Sequence, residues 1–244
     1  MIRKFIDRLL GKTPTPPPLP EGVTLGKRVE IGVDMHGIDP KLLAEPAVRV
    51  GWADGATWLA RNDEFFRMYQ AGALDLGGYI EFATSVWRTR PEVELGPMRR
   101  RFMSEVIEPM LTERAFELVR AHQLAGDLCA IVTATNEFVT RPIADAFGVP
   151  ELLAVELERD DAGAVTGAIR GVPTYQHGKV TRVEQWLAAQ NLRWSDFDRI
   201  TVYSDSTNDL PLLERATDPV ATNPSPALEA IAVQRGWRLL RLFE

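Results

Sequence analysis

Two clusters of polar side chains could act together on a phosphate group. The first, Thr133-Ala-Thr135-Asn136, follows the apolar run 128–132 and offers hydroxyls and an amide. The second, Ser204-Asp205-Ser206-Thr207-Asn208-Asp209, follows the run 200–203 and offers two carboxylates four positions apart. Between them, Gly178-Lys179 stands at the start of a predicted helix. Singly, each has a plain structural use: Asn136 as a helix cap, Asp209 answering a helix dipole, Lys179 as a solvated cation. Together they suit phosphoryl transfer. That chemistry asks for a hydroxyl to hold the moving group, a lysine to neutralise it, and oxygen ligands of the kind magnesium accepts.

The elements that must position these groups follow from the pattern of apolar residues. After Gly126, runs of strand length alternate with helical stretches. Strands are predicted over 128–132, 200–203, 220–222 and 237–243, and helices over 137–148, 178–189, 208–215 and 226–234. The runs 152–158 and 164–169 flank Asp160-Asp-Ala-Gly163, a hairpin signal. Such alternation predicts a parallel sheet covered on both faces, with its chemistry at the carboxyl ends of the strands. Residues 51–125 read as helical instead. Trp58, Phe65, Phe66 and Tyr69 share one face, Tyr79, Phe82, Ala83 and Val86 another, and Pro109 marks a helix start. These stripes read as core packing. Further upstream, the proline-rich stretch 13–20 is an extended linker, and 27–33 is a candidate strand leading into Asp34-Met-His-Gly37.

Bulk properties narrow the partners. The 244 residues carry a net charge of -6, which argues against nucleic acid or an anionic membrane as the main partner. Cys129 is the only cysteine, and the three histidines lack zinc-ligand spacing. No run approaches the roughly 18 apolar residues of a membrane span. Asp7 and Arg8 interrupt the apolar stretch a signal peptide needs, so the cytoplasm is the expected location.

The order and wording of the clusters resemble motifs II, III and IV of the haloacid dehalogenase (HAD) superfamily, in its phosphoserine-phosphatase-like branch. The resemblance implies an α/β fold, a three-layer Rossmann-like core with a helical cap. It makes 51–125 the cap and 126–244 the core, after a leader over 1–50 with a possible strand at 28–34. It also implies roles: Thr133 and Asn136 on the phosphoryl group, Lys179 as its neutralising cation, Asp205 and Asp209 as magnesium ligands. Arg88, Arg90, Arg99, Arg100 and Arg101 are candidates for substrate anions or plain solvated arginines.

One part of the pattern is missing. The family's motif I, a strand ending Asp-x-Asp-x-Thr, supplies the carboxylate that attacks phosphorus and the acid that serves the leaving group. No such string precedes Gly51. The first core strand is therefore expected to be lost or replaced by 28–34. Asp34 is the stand-in nucleophile, and His36 takes the second aspartate's place. Gly26-Lys-Arg-Val-Glu-Ile31, His36-Gly-Ile-Asp-Pro40 and Ala47-Val-Arg-Val50 instead resemble the leader of bacterial poly(A) polymerases. The expectation is a magnesium-dependent phosphatase lineage acting on a small phosphorylated metabolite, with turnover impaired. The alternatives are an inactive protein of the same fold, and an RNA-associated module working through the leader.

Overall fold

A computed structural model describes residues 28–31 and 54–242. Strand β1, Arg28–Ile31, lies between β2, Leu128–Asn136, and β6, Arg199–Ser204, and runs parallel to both. With β3 (Glu151–Val155), β7 (Asp218–Thr222) and β8 (Arg238–Leu240) they form a six-stranded sheet ordered β3-β2-β1-β6-β7-β8. All of its pairings are parallel. The first core strand is thus not lost: four leader residues occupy the centre of the sheet. The rest of the leader, with Asp34 and His36, lies outside the described residues.

Side-chain alternation along β2 explains the layers. Ala130 and Val132 face a cluster with Val183, Leu187, Val202 and Leu228, while Ile131 faces the opposite one, with Val106, Val119 and Ile143. The first cluster is closed by α6 (His177–Ala189), α7 (Leu210–Leu213) and α8 (Pro226–Arg235). The second is closed by α4 (Glu113–Leu124) and α5 (Glu137–Ala146). Each fully buried aliphatic side chain adds about 1.5–3 kcal/mol. Two covered faces make the three-layer core.

The remaining helices are α1 (Gly55–Gln70), α2 (Leu76–Ser85) and α3 (Glu92–Phe102), which runs on into a π turn at Met103–Ile107. Leu76, Ile80, Trp87 and Leu95 pack on Val155 and Leu157, so the cap core is continuous with the edge of the sheet. Two local expectations change. Run 152–158 is not one hairpin arm: Glu151–Val155 joins the sheet, and only β4, Leu157–Arg159, pairs with β5, Val165–Ile169. The break falls at Glu156, which is held by ion pairs to Arg170 (2.7 Å) and Arg182. Pro109 sits in a short 3-10 turn, and α4 starts behind Thr112, whose hydroxyl accepts from the Ala115 amide. Among the described residues no helix is long and apolar enough to cross a membrane.

Candidate active site

Sheet register sets the frame. Val29 pairs with Leu128 on one side and Ile200 on the other. Counting five residues onward along each neighbour reaches Thr133 and Asp205. The two sites are therefore level at the carboxyl edge, two strand spacings or about 10 Å apart. Both are buried. The Thr133 hydroxyl accepts from the Thr135 amide at 3.1 Å, which leaves its own proton to donate to a phosphoryl oxygen. Asn136 caps α5 by accepting from the Val139 amide at 3.3 Å.

Lys179 reaches this edge from the first turn of α6. A Cβ on Gly178 would run into the Pro173 carbonyl oxygen, so only glycine lets the helix start press against that turn. Gln176, just before, holds φ at +47°, a backbone state that costs about 1–3 kcal/mol. Its side-chain amide compensates by donating to the Gly72 carbonyl at 3.1 Å. The lysine is then only 1% exposed, with Nζ 2.6 Å from Asp209 Oδ1. Asp209 Oδ2 accepts from the Ser204 hydroxyl at 2.8 Å, and Ser204 Oγ accepts from the Ser206 amide at 3.2 Å. Asp205, 3% exposed, follows Ser204 in the same loop, and its carbonyl accepts from the Ser225 amide at 2.9 Å. Lys179, Asp205 and Asp209 therefore gather at the carboxyl edge, where sheets of this kind form their crevice, with Thr133 level across β1.

Magnesium takes hard oxygen ligands and keeps several waters, so one or two carboxylates are enough in kind, and Asp205 with Asp209 supply that donor type. Among the described residues no group of three or more histidine, cysteine, aspartate or glutamate side chains gathers to hold a metal. Asp209 already serves the lysine with one oxygen and Ser204 with the other.

The sequence did not single out Ser204, Asn208 or Tyr69 as site residues. Asn208 donates to the Tyr69 carbonyl at 3.0 Å and accepts from the Tyr175 hydroxyl at 3.2 Å, while the Tyr69 hydroxyl reaches Ser206 Oγ at 3.3 Å. Burial pushes the Tyr175 phenol up, so it remains a donor. The last turn of α1 is thereby fastened to the acidic loop. Asn208 could have been noticed from its place beside Asp209; its partner 139 positions earlier could not. The five candidate arginines lie on the cap. Arg90, Arg99 and Arg101 pair with Glu94, Glu92 and Glu105.

The model of the haloacid dehalogenase-like hydrolase family matches residues 35–214. The chain belongs to this family. It is 37% identical over 193 residues to the histidinol-phosphatase of Neisseria meningitidis serogroup C, covering 79% of this chain and 87% of the relative. A Bordetella pertussis Tohama I protein of unknown function superposes with a TM-score of 0.81 at 44% identity, over 89% of this chain and 99% of that one. A substrate-bound phosphoserine phosphatase superposes at 0.60 with 16% identity, over 88% and 92%, which speaks for the fold alone. The lineage is that of HAD phosphatases that act on small phosphorylated metabolites.

Proposed function

We propose that the crevice binds the phosphate of a small phosphomonoester, with Lys179 and Thr133 on its oxygens and Asp205 as the main ligand of a magnesium ion. The observation that carries this reading is the buried Lys179–Asp209 pair beside Asp205. A fully buried ammonium is costly unless it is paired, and a site for a dianion justifies keeping one there. Bound magnesium supplies charge neutralisation on the phosphoryl oxygens.

Hydrolysis also needs a carboxylate in line with phosphorus. Asp34 stands as far beyond Val29 in the sequence as Thr133 stands beyond Leu128 and Asp205 beyond Ile200. That equal count favours Asp34 as the attacking group. The family match begins one residue after it, and His36 replaces the expected second acid, so turnover is impaired. Histidinol phosphate is the first substrate to try, because the Neisseria relative aligns along most of its length.

The test is hydrolysis of histidinol phosphate and of an aryl phosphate, with magnesium and with chelator, in the parent and in Asp34→Asn. Weak magnesium-dependent turnover that disappears in Asp34→Asn supports the reading. Unchanged turnover in that variant overturns the role of Asp34. A parent that binds magnesium and phosphate without turnover supports the inactive alternative. If calorimetry detects neither magnesium nor phosphate binding, the crevice is not a phosphate site.

A further inference from the structure

A cavity lies between the cap helices and the carboxyl end of β2. Thr135 and Asn136, just past Thr133, form its floor. Its walls are largely aromatic: Trp58 lines it from α1 and stacks on Phe82 at 4.6 Å, and Trp87 stacks on Phe138 with ring centroids 4.0 Å apart. The Arg99 guanidinium lies over the Phe138 ring at 4.8 Å. Into this apolar setting α1 places one amide, Asn62, only 1% exposed.

Among the described residues neither Asn62 Oδ1 nor Asn62 Nδ2 has a hydrogen-bond partner, and the same is true of Trp58 Nε1. Spaced four apart on α1, the two side chains share one helix face. A buried polar atom left unbonded weakens the fold, and folding alone would favour leucine at position 62. A few convergent polar groups in an otherwise apolar pocket are what fix a ligand's orientation.

The chemistry of the three atoms narrows the occupant. Trp58 Nε1 can only donate, so it calls for a lone pair; Asn62 Oδ1 can only accept, so it calls for an N–H or O–H. The mostly aromatic lining favours an aromatic ring, which packs on such side chains by face or by edge. A phenyl group would fill the space but leave these atoms unbonded, and a short hydroxy acid would satisfy them but leave the aromatic walls wet. A five-membered ring with one N–H and one bare nitrogen is aromatic, donates to Asn62 Oδ1 and accepts from one of the two donors, Trp58 Nε1 or Asn62 Nδ2.

We propose that this cavity receives the alcohol portion of the substrate, that its occupant is a planar nitrogen heterocycle of the imidazole type, and that Asn62 determines specificity by hydrogen-bonding a ring nitrogen. The proposal rests on the phosphatase reading for its orientation, since the phosphate end belongs in the adjoining crevice.

The experiment measures binding, which does not require turnover. The full chain is titrated with 2-(imidazol-4-yl)ethanol and with 2-phenylethanol, two alcohols of similar shape, by ligand-observed NMR. The imidazole alcohol is expected to bind about tenfold more tightly. In Asn62→Leu that ratio falls to near one while phenyl binding holds. The melting temperature of ligand-free Asn62→Leu rises, because two unbonded polar atoms have left the interior. Should Asn62→Leu fail to fold, Trp58→Phe removes only the indole N–H and its ring and lowers the ratio to a few-fold. Equal binding of both alcohols by the parent overturns the proposal, as does binding of neither, or a ratio unchanged in the variants. None of these results touches the phosphatase reading, which fails separately if magnesium and inorganic phosphate do not bind.

Discussion

The crevice and the cavity beside it treat polar groups in opposite ways. In the crevice, Lys179, Asp209, Ser204 and Ser206 are bonded to one another before any ligand arrives. In the cavity, Asn62 and Trp58 hold donors and an acceptor with no bond to any described residue. A site that stabilises charge gains from dipoles fixed in advance, since nothing then reorganises during reaction. A site that discriminates gains from groups that only the right ligand can satisfy. On the proposed reading, the contrast separates the chemistry of the phosphate end from the selection of the alcohol end.

The largest effect should come from breaking the crevice network. Asp209→Asn leaves a buried lysine without its counter-charge and is expected to cost about 3–5 kcal/mol in urea unfolding. Replacing both partners, with Lys179→Met and Asp209→Leu, should recover most of that loss while phosphate binding disappears. A double variant that still binds phosphate would show that the pair serves stability alone.

Next in size is the strand that supports the crevice. Val29→Pro removes a backbone donor from a strand paired on both edges and should cost about 3 kcal/mol or more. A melting temperature unmoved by this change would mean that Arg28–Ile31 is not the central strand in solution. Gly178→Ala comes third. The added methyl meets the Pro173 carbonyl oxygen, so a cost of about 1–3 kcal/mol is expected, together with weaker phosphate binding as Lys179 shifts. Destabilisation with phosphate affinity intact would separate the helix start from the placement of the lysine.

Much of this architecture is legible in the sequence because it rests on local patterns. Thr133 lies near the end of a strand, Asp205 follows one, and Lys179 and Asp209 open helices, and strand order alone brings such ends together. The role of Arg28–Ile31 is harder to read. A central parallel strand usually shows a continuous apolar run, and Arg-Val-Glu-Ile alternates instead. Asn62 was silent for another reason: on α1 it sits among Arg61, Asp63 and Glu64 and looks like part of a solvated face. Only the packing of α2 on α1, and the cavity they share with α3 and β2, show that it is buried. Ser204 and Tyr69 matter through partners distant in sequence, which no spacing rule can supply.

The smallest expected effect tests how the two regions are joined. Tyr69 meets the acidic loop twice, through its carbonyl to Asn208 and through its hydroxyl to Ser206. The carbonyl contact is the shorter, at 3.0 Å against 3.3 Å, and Asn208 is itself oriented by the Tyr175 hydroxyl. Tyr69→Phe deletes only the hydroxyl contact, so the cost should be about 0.5–1 kcal/mol. Asn208→Leu deletes the bond to the carbonyl, which keeps the Gly72 amide, and also takes the acceptor from the Tyr175 hydroxyl, for about 1–3 kcal/mol. Amide exchange along the last turn of α1 should follow the same order, with Asn208→Leu opening it more than Tyr69→Phe does. If the order reverses, the hydroxyl is the fastening and the acidic loop holds the cap through Ser206. The polar network of the crevice would then extend into the cap itself, and the division between a bonded phosphate end and an unbonded alcohol end would have to be drawn beyond α1 rather than beneath it.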